Sequence, residues 1–157
     1  MRVSPRHPSA EVTAATPHRH PLLLLDRLLR VDPGRSGAAE KAVSANEVPV
    51  GAADGGAGLP RSLVVDALGQ LAIAVLAQAG EGATPSVYYL AGIESMELDR
   101  PPRAGDLLRM EATVRKTWGR TSRVHVRGEV DGLQVAQGTM VLARREAPRP
   151  EGEAVHV

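Results

Sequence analysis

The sequence predicts an α+β fold in which a long antiparallel sheet wraps one central buried helix. Three observations carry that prediction. Residues 60–78 are apolar on nearly every helical face, so this helix has to be enclosed by other structure rather than laid on a surface. Downstream, Leu108, Met110, Ala112 and Val114 alternate with Arg109, Glu111, Thr113 and Arg115, and Val124, Val126 and Gly128 alternate with Arg123, His125, Arg127 and Glu129. A period of two marks strands with one face inward. Asp131-Gly132 between two such runs is a strong hairpin signal. One helix followed by a meander segregates helix from sheet, and 157 residues are enough for one domain with a genuine core. A single sheet leaves part of such a helix uncovered, so at least a dimer is expected.

In chain order, residues 1–16 are rich in Pro, Ser, Ala and Thr without a period and are expected as a disordered N-terminal tail. Residues 145–157 have the same character and are expected as a flexible C-terminal tail, which leaves 17–144 as the domain. Pro17 and Pro21 disfavour helix in the residues before them. Residues 22–31 read as a short helical turn or apolar segment feeding a strand, Asp32-Pro33-Gly34 as a turn, and 37–45 as a weakly alternating strand. The helix over Pro60–Gln78 starts at a proline, whose missing N–H is not needed in the first turn, and Gly80 is a natural stop. Val87–Ala91 is short and β-prone, Pro101-Pro102 and Gly105-Asp106 mark a turn, and Trp118-Gly119 sits at a reversal.

Composition removes several function classes. One Trp, two Tyr and no Phe leave the core to Leu, Val, Ala and Ile. The 19 basic and 18 acidic residues give a net charge of +1, which argues against a general nucleic-acid binder. No cysteine is present, so there is neither a disulfide frame nor a thiolate nucleophile. No apolar run reaches the ~18 residues of a membrane span, and the start has no secretory leader pattern; a cytoplasmic protein without membrane contact is expected.

The chemistry concentrates between Gly51 and Gln70. Asp66 stands among Leu63, Val64, Val65, Ala67 and Leu68, and Gln70 lies four residues on, stacked on the same helix face. Burial disfavours the charged form of a carboxylate, which suits proton transfer near neutral pH; the other reading of such an acid is a cap or an ion pair at a dimer interface. The glycine-rich loop 51–58 offers backbone N–H groups beside a helix N-terminus, a place that can polarise a carbonyl. It is not a phosphate loop, because it lacks the Gly-Lys-Ser/Thr ending. His18 and His20 flank Arg19 with no further ligand at metal spacing, so neither a metal nor another cofactor is expected. Arg115, Lys116, Arg120, Arg123 and Arg127 cluster around Trp118, either as a solvated strand face or as a docking surface for an acidic partner.

Four segments resemble the β-hydroxyacyl-acyl-carrier-protein dehydratases of hotdog fold. Pro17-His18-Arg19-His20-Pro21 through Asp26-Arg27 is similar to that family's opening, and Leu59-Pro60-Arg61-Ser62 through Asp66 and Gln70 to its central helix start. Leu90-Ala91-Gly92-Ile93 with Arg100-Pro101 and Gly105-Asp106 is similar to its middle, and Val130-Asp131-Gly132 through Ala136 to its last hairpin. The resemblance implies that Asp66 is the catalytic acid with Gln70 beside it, that Gly58, Arg61 and Ser62 at the helix start contact substrate, and that the substrate is an acyl thioester on acyl carrier protein or CoA. It also implies a homodimer or higher oligomer. In the family a histidine from the loop before the helix, supplied by the partner subunit, removes the α-proton, and counting back without gaps from Pro60 puts Ala52 at that position. A methyl group takes no proton. The resemblance therefore implies a chain that binds thioesters without independent dehydratase activity, as the helper subunit of a heterodimer with a histidine-containing homologue. Three alternatives stay open: a hotdog acyl thioesterase using Asp66, a dehydratase with His18 or His20 as substitute base, and a non-catalytic scaffold.

Overall fold

A computed structural model describes residues 8–47, 58–79 and 86–146. The elements run α1 (Pro8–Ala15), β1 (Arg27–Asp32), β2 (Ser36–Ala42), a short 3-10 turn (Ala45–Glu47), α2 (Arg61–Ala77), β3 (Ser86–Leu98), β4 (Leu107–Trp118), β5 (Thr121–Val130) and β6 (Leu133–Glu146). The strands form one six-stranded sheet in the order β1-β2-β4-β5-β6-β3, antiparallel at every junction. The sheet curls around α2, whose residues from Ala67 to Leu76 are buried without interruption.

The alternation in the sequence sets the inner face. Leu108, Met110 and Ala112 on β4 and Val124 and Val126 on β5 are buried, and the register places Met110 opposite Gly128, Ala112 opposite Val126 and Val114 opposite Val124. At the β5–β6 turn Asp131 and Gly132 both take positive φ, 53° and 76°, as the favoured two-residue hairpin requires. Helix and sheet approach closely at β2. A methyl group at Gly37 would sit 2.6 Å from Val75 Cγ2 and 3.3 Å from the Arg30 carbonyl oxygen. Gly37→Val is accordingly expected to cost about 1–3 kcal/mol, by overpacking, and to lower the urea midpoint without changing the slope of the transition.

Three expectations are corrected. The tail expected over 1–16 contains α1, whose Val12 is fully buried and whose Ala15 is nearly so; it packs on β1 and α2. Val12 and Ala15 give that stretch its apolar anchor. Of the two readings of 22–31, the apolar segment feeding a strand is the one observed, with 22–26 outside any helix and β1 starting at Arg27. The short strand expected at 87–91 is 13 residues long and forms the edge of the sheet. β6 continues through Glu146, past the boundary expected at 144.

Just before the chain leaves the described residues at Glu47, it is pinned by a buried cation. Lys41 is on β2 with its side chain 4% exposed, and its Nζ donates to Glu47 Oε1 at 2.5 Å. Burial alone would raise the Glu47 carboxyl. The Lys41 hydrogen bond and charge, with the hydrogen bond from the Ser44 backbone N–H, outweigh it and hold the group below its ordinary value of 4.5. A carboxyl lowered by folding contributes stability that is complete above its unfolded value and is lost as pH falls through the folded one. Wild type is therefore expected to lose more stability than Glu47→Gln between pH 5 and pH 3, read from denaturant midpoints. Parallel losses would remove this pair from the acid sensitivity.

Candidate active site

The start of α2 is held from outside the helix. Leu59 is fully buried, its N–H donates to the Pro102 carbonyl at 2.6 Å, and Gly58 forms a bridge with Arg103. A methyl at Gly58 would stand 2.7 Å from both Pro101 Cβ and the Pro102 oxygen, so only glycine lets the chain pass this prolyl corner. Pro60 caps the helix with φ −50° and ψ 138° and no side-chain hydrogen bond. Arg61 and Ser62 are exposed on the first turn, beside backbone N–H groups that the helix itself leaves unpaired.

Asp66 is exposed in the single chain. This corrects the burial expected from its apolar sequence neighbours: Val64, Ala67 and Leu68 turn into the core, while Asp66 looks out from the second turn. Its Oδ2 accepts a hydrogen bond of 3.0 Å from Gln70 Nε2, the i,i+4 contact expected from the spacing. Gln70 itself is 1% exposed. Its Nε2 also donates to the Leu22 carbonyl at 2.7 Å, and its Oε1 accepts from the Leu24 N–H at 2.9 Å. One buried amide thus fastens the 22–24 segment to the helix and orients the carboxylate. The sequence reading missed this clamp; the available signal was a lone amide inside a helix otherwise predicted to be enclosed.

The same segment carries the two histidines. The Leu22 and Leu23 N–H groups close a turn on the Arg19 carbonyl, and the His20–Pro21 peptide is cis. Residues 17–22 line a shallow surface hollow of about 470 Å³. His18 is half-buried with Nδ1 2.6 Å from Thr16 Oγ1, and His20 is exposed. The bonds of Asp66 and His18 go to Gln70 and Thr16 respectively, so Gln70 links the histidine turn to the acid through the chain, and no direct histidine–acid pair is formed among the described residues. Ala52, and the loop 51–57 with it, lies outside the described residues. No helix among the described residues is long and apolar enough to cross a membrane.

An antiparallel sheet curled round one helix, with a carboxylate facing out near that helix's start, defines a hotdog-fold protein. Solved structures agree on the fold. The dehydratase heterocomplex ApeI:P from Xenorhabdus doucetiae superimposes with a TM-score of 0.70 at 16% identity, over 85% of this chain and 90% of that one. The PaaI protein of E. coli gives 0.64 at 16% identity, over 88% and 93%. No protein-family model matches the chain. Full-length relatives do: the FabZ 3-hydroxyacyl-[acyl-carrier-protein] dehydratase of Nitrosospira multiformis is 36% identical over 146 residues, 86% of this chain and 94% of its own. That of Klebsiella pneumoniae is 39% identical over 141 residues, 87% and 93%. The chain belongs to the FabZ family of 3-hydroxyacyl-[acyl-carrier-protein] dehydratases.

Proposed function

We propose that this chain binds 3-hydroxyacyl thioesters as the acid-bearing half of a dehydratase dimer whose base comes from a histidine-containing homologue. The observation that carries this reading is the contrast between Asp66, oriented by Gln70, and Ala52, which falls at the family's histidine when the sequence is counted back without gaps from Pro60. In the complete site the homologue's imidazole removes the α-proton. Asp66 then delivers a proton to the departing β-hydroxyl, which leaves as water and yields the enoyl thioester. Arg61 and Ser62, with the exposed N–H groups of the first helical turn, receive the thioester end, where the carbonyl gains negative charge as the α-proton leaves.

Two features favour a second subunit beside Asp66. β3 is an edge strand of 13 residues, and a long edge is normally covered or paired. Leu90 and Ile93 are opposite the buried Leu142 and Met140, hence on the inner face, yet each remains nearly half exposed. A neighbouring chain along β3 would cover them and close the site over Asp66. The ApeI:P heterocomplex is a precedent for mixed pairing within this fold.

The test is purification of the full chain from its native host, followed by assay of the homomer and of any mixed dimer on 3-hydroxyacyl-carrier substrates. Enoyl product from the mixed dimer alone, abolished by Asp66→Asn, is expected. Recovery of the homomer only, or free-thiol release instead of enoyl product, would overturn the reading, the latter in favour of a thioesterase. Dehydration by the homomer that Ala substitution at His18 or His20 abolishes would transfer the base to that turn.

A further inference from the structure

The outer face of the sheet, turned away from α2, carries a cavity at its β1 end. Two rows of side chains cross it. Arg27, Glu40, Arg109 and Glu129 are in register on β1, β2, β4 and β5, and next to them Arg30, Ala38, Glu111 and Arg127 are in register on the same strands. Both rows face outward, since the neighbouring Ala39, Met110 and Val126 are buried in the core. Ala38 is the only short side chain in the two rows. It leaves a hole beneath the Arg30–Glu111 pair, which reaches across it from β1 to β4. The hole opens into a cavity of about 310 Å³, with Ala38 as its floor and Leu29, at the irregularity in β1, as an apolar wall. That size is at the small end of ligand sites, which run from roughly 300 to 1,000 Å³.

Two kinds of ion pair meet here. Glu40 is buried, its side chain 6% exposed, and tightly bonded: Arg27 donates to its Oε2 through Nε at 3.2 Å and Nη2 at 2.5 Å, and Arg109 Nε lies 3.2 Å from its Oε1. The pairs on the cavity wall are loose. Arg30 and Glu111 are 3.7 Å apart and Arg127 and Glu129 3.5 Å, against roughly 2.7–2.9 Å for a hydrogen-bonded ion pair. Their donors and acceptors are free to turn to a molecule between them. Four arginines against three glutamates leave one net positive charge. The matching ligand is small and carries one net negative charge. It has a carboxylate for the arginines and an O–H or N–H for the glutamates. A metal cation would meet the arginines, and a phosphate dianion would meet two carboxylates with no proton to offer them. The cavity is separate from the surroundings of Asp66, since it lies on the face turned away from α2. Its floor strand β2 is four strand spacings, about 19 Å, from the edge strand β3.

We propose that this cavity binds a small hydroxy- or amino-carboxylate of single net negative charge, which ties β1 to β4 and β5 across Ala38. The full chain is titrated calorimetrically at low salt with 3-hydroxybutyrate, with L-glutamate, and with butyrate, which has the carboxylate and no donor. Saturable binding of 3-hydroxybutyrate or L-glutamate is expected, at least about tenfold tighter than that of butyrate, as the loss of a hydrogen bond to a charged group implies. Which of the two acids binds identifies the donor as hydroxyl or ammonium. Arg127→Ala is expected to weaken binding by at least about tenfold. Ala38→Leu, which fills the floor without changing charge, should do the same. Thermal unfolding reports whether each variant is folded, and the acid is expected to raise the Tm of wild type and not of either variant. Asp66→Asn is expected to bind as wild type does. Absence of saturable binding of both acids to wild type overturns the proposal, and so does butyrate binding as tightly as they do. Binding retained by both cavity variants overturns it too, with Arg127→Ala deciding alone if Ala38→Leu does not fold. Binding abolished by Asp66→Asn would move the acid to the helix and overturn it as well.

Discussion

On the proposed reading, supplying a base as Ala52→His with Ala53→Phe is expected to raise enoyl formation by the homomer by about 10²–10⁴-fold, the range a positioned general base supplies. The geometry that this reading needs is already held: Asp66 is bonded to Gln70, and the helix start is fixed by the corner at Pro101-Pro102. The gain should vanish in the triple variant with Asp66→Asn, and its pH profile should rise through the titration of an imidazole. A folded double variant that binds the thioester and stays at the wild-type rate would mean that Ala52 does not occupy the position of the base. The measurement is the rate of enoyl product formed per homomer.

Gln70→Ala is expected to be the most destabilising single change near the site. Its amide makes three hydrogen bonds, and two of them satisfy the Leu22 carbonyl and the Leu24 N–H, with Leu24 in the core. Truncation strips those partners and opens a cavity. Leaving the buried Leu24 N–H unsatisfied costs about 1–3 kcal/mol and the cavity adds to it, whereas the Leu22 carbonyl, on an exposed residue, can turn to water; a total of about 2–4 kcal/mol and a fall in Tm on the order of 10 °C are expected. Gln70→Glu should be at least as harmful, because an ionised carboxylate cannot donate to the Leu22 carbonyl and would face Asp66 with like charge. Calorimetry on both variants checks this; a fall in Tm of under 2 °C for Gln70→Ala would deny the clamp.

Where the sequence expressed a period, the fold was legible. The inward alternation of β4 and β5, the hairpin at Asp131-Gly132 and the span of α2 all follow from side chains that face a core within one chain. β3 was underestimated for the same reason in reverse. Its inner residues Leu90 and Ile93 are not covered within one chain, and irregularities between Leu90 and Gly92 and between Ile93 and Ser95 break its phase twice. α1 has almost no amphipathic signal, since its burial depends on Val12 and Ala15. Of the site, the i,i+4 pair Asp66 and Gln70 was legible from spacing. The exposure of Asp66 was not, because local apolar sequence does not say which turn of a helix emerges from the sheet. The partners of Gln70 at Leu22 and Leu24 lie more than forty residues away, a distance over which a one-dimensional pattern is silent.

The way Gly58 and Leu59 are wedged against Pro101 and Pro102 has a further consequence for how this chain can change. The start of α2, and with it Asp66, takes part of its position from a corner that follows β3, about forty residues downstream, and part from the clamp of Gln70 on Leu22 and Leu24. On the proposed reading, a substitution in the loop before Gly58 would alter the chemistry while these two anchors keep the helix start in place. On that same reading, a duplicate of an active subunit can surrender its base, keep its fold and its acid, and persist as the companion of the copy that did not.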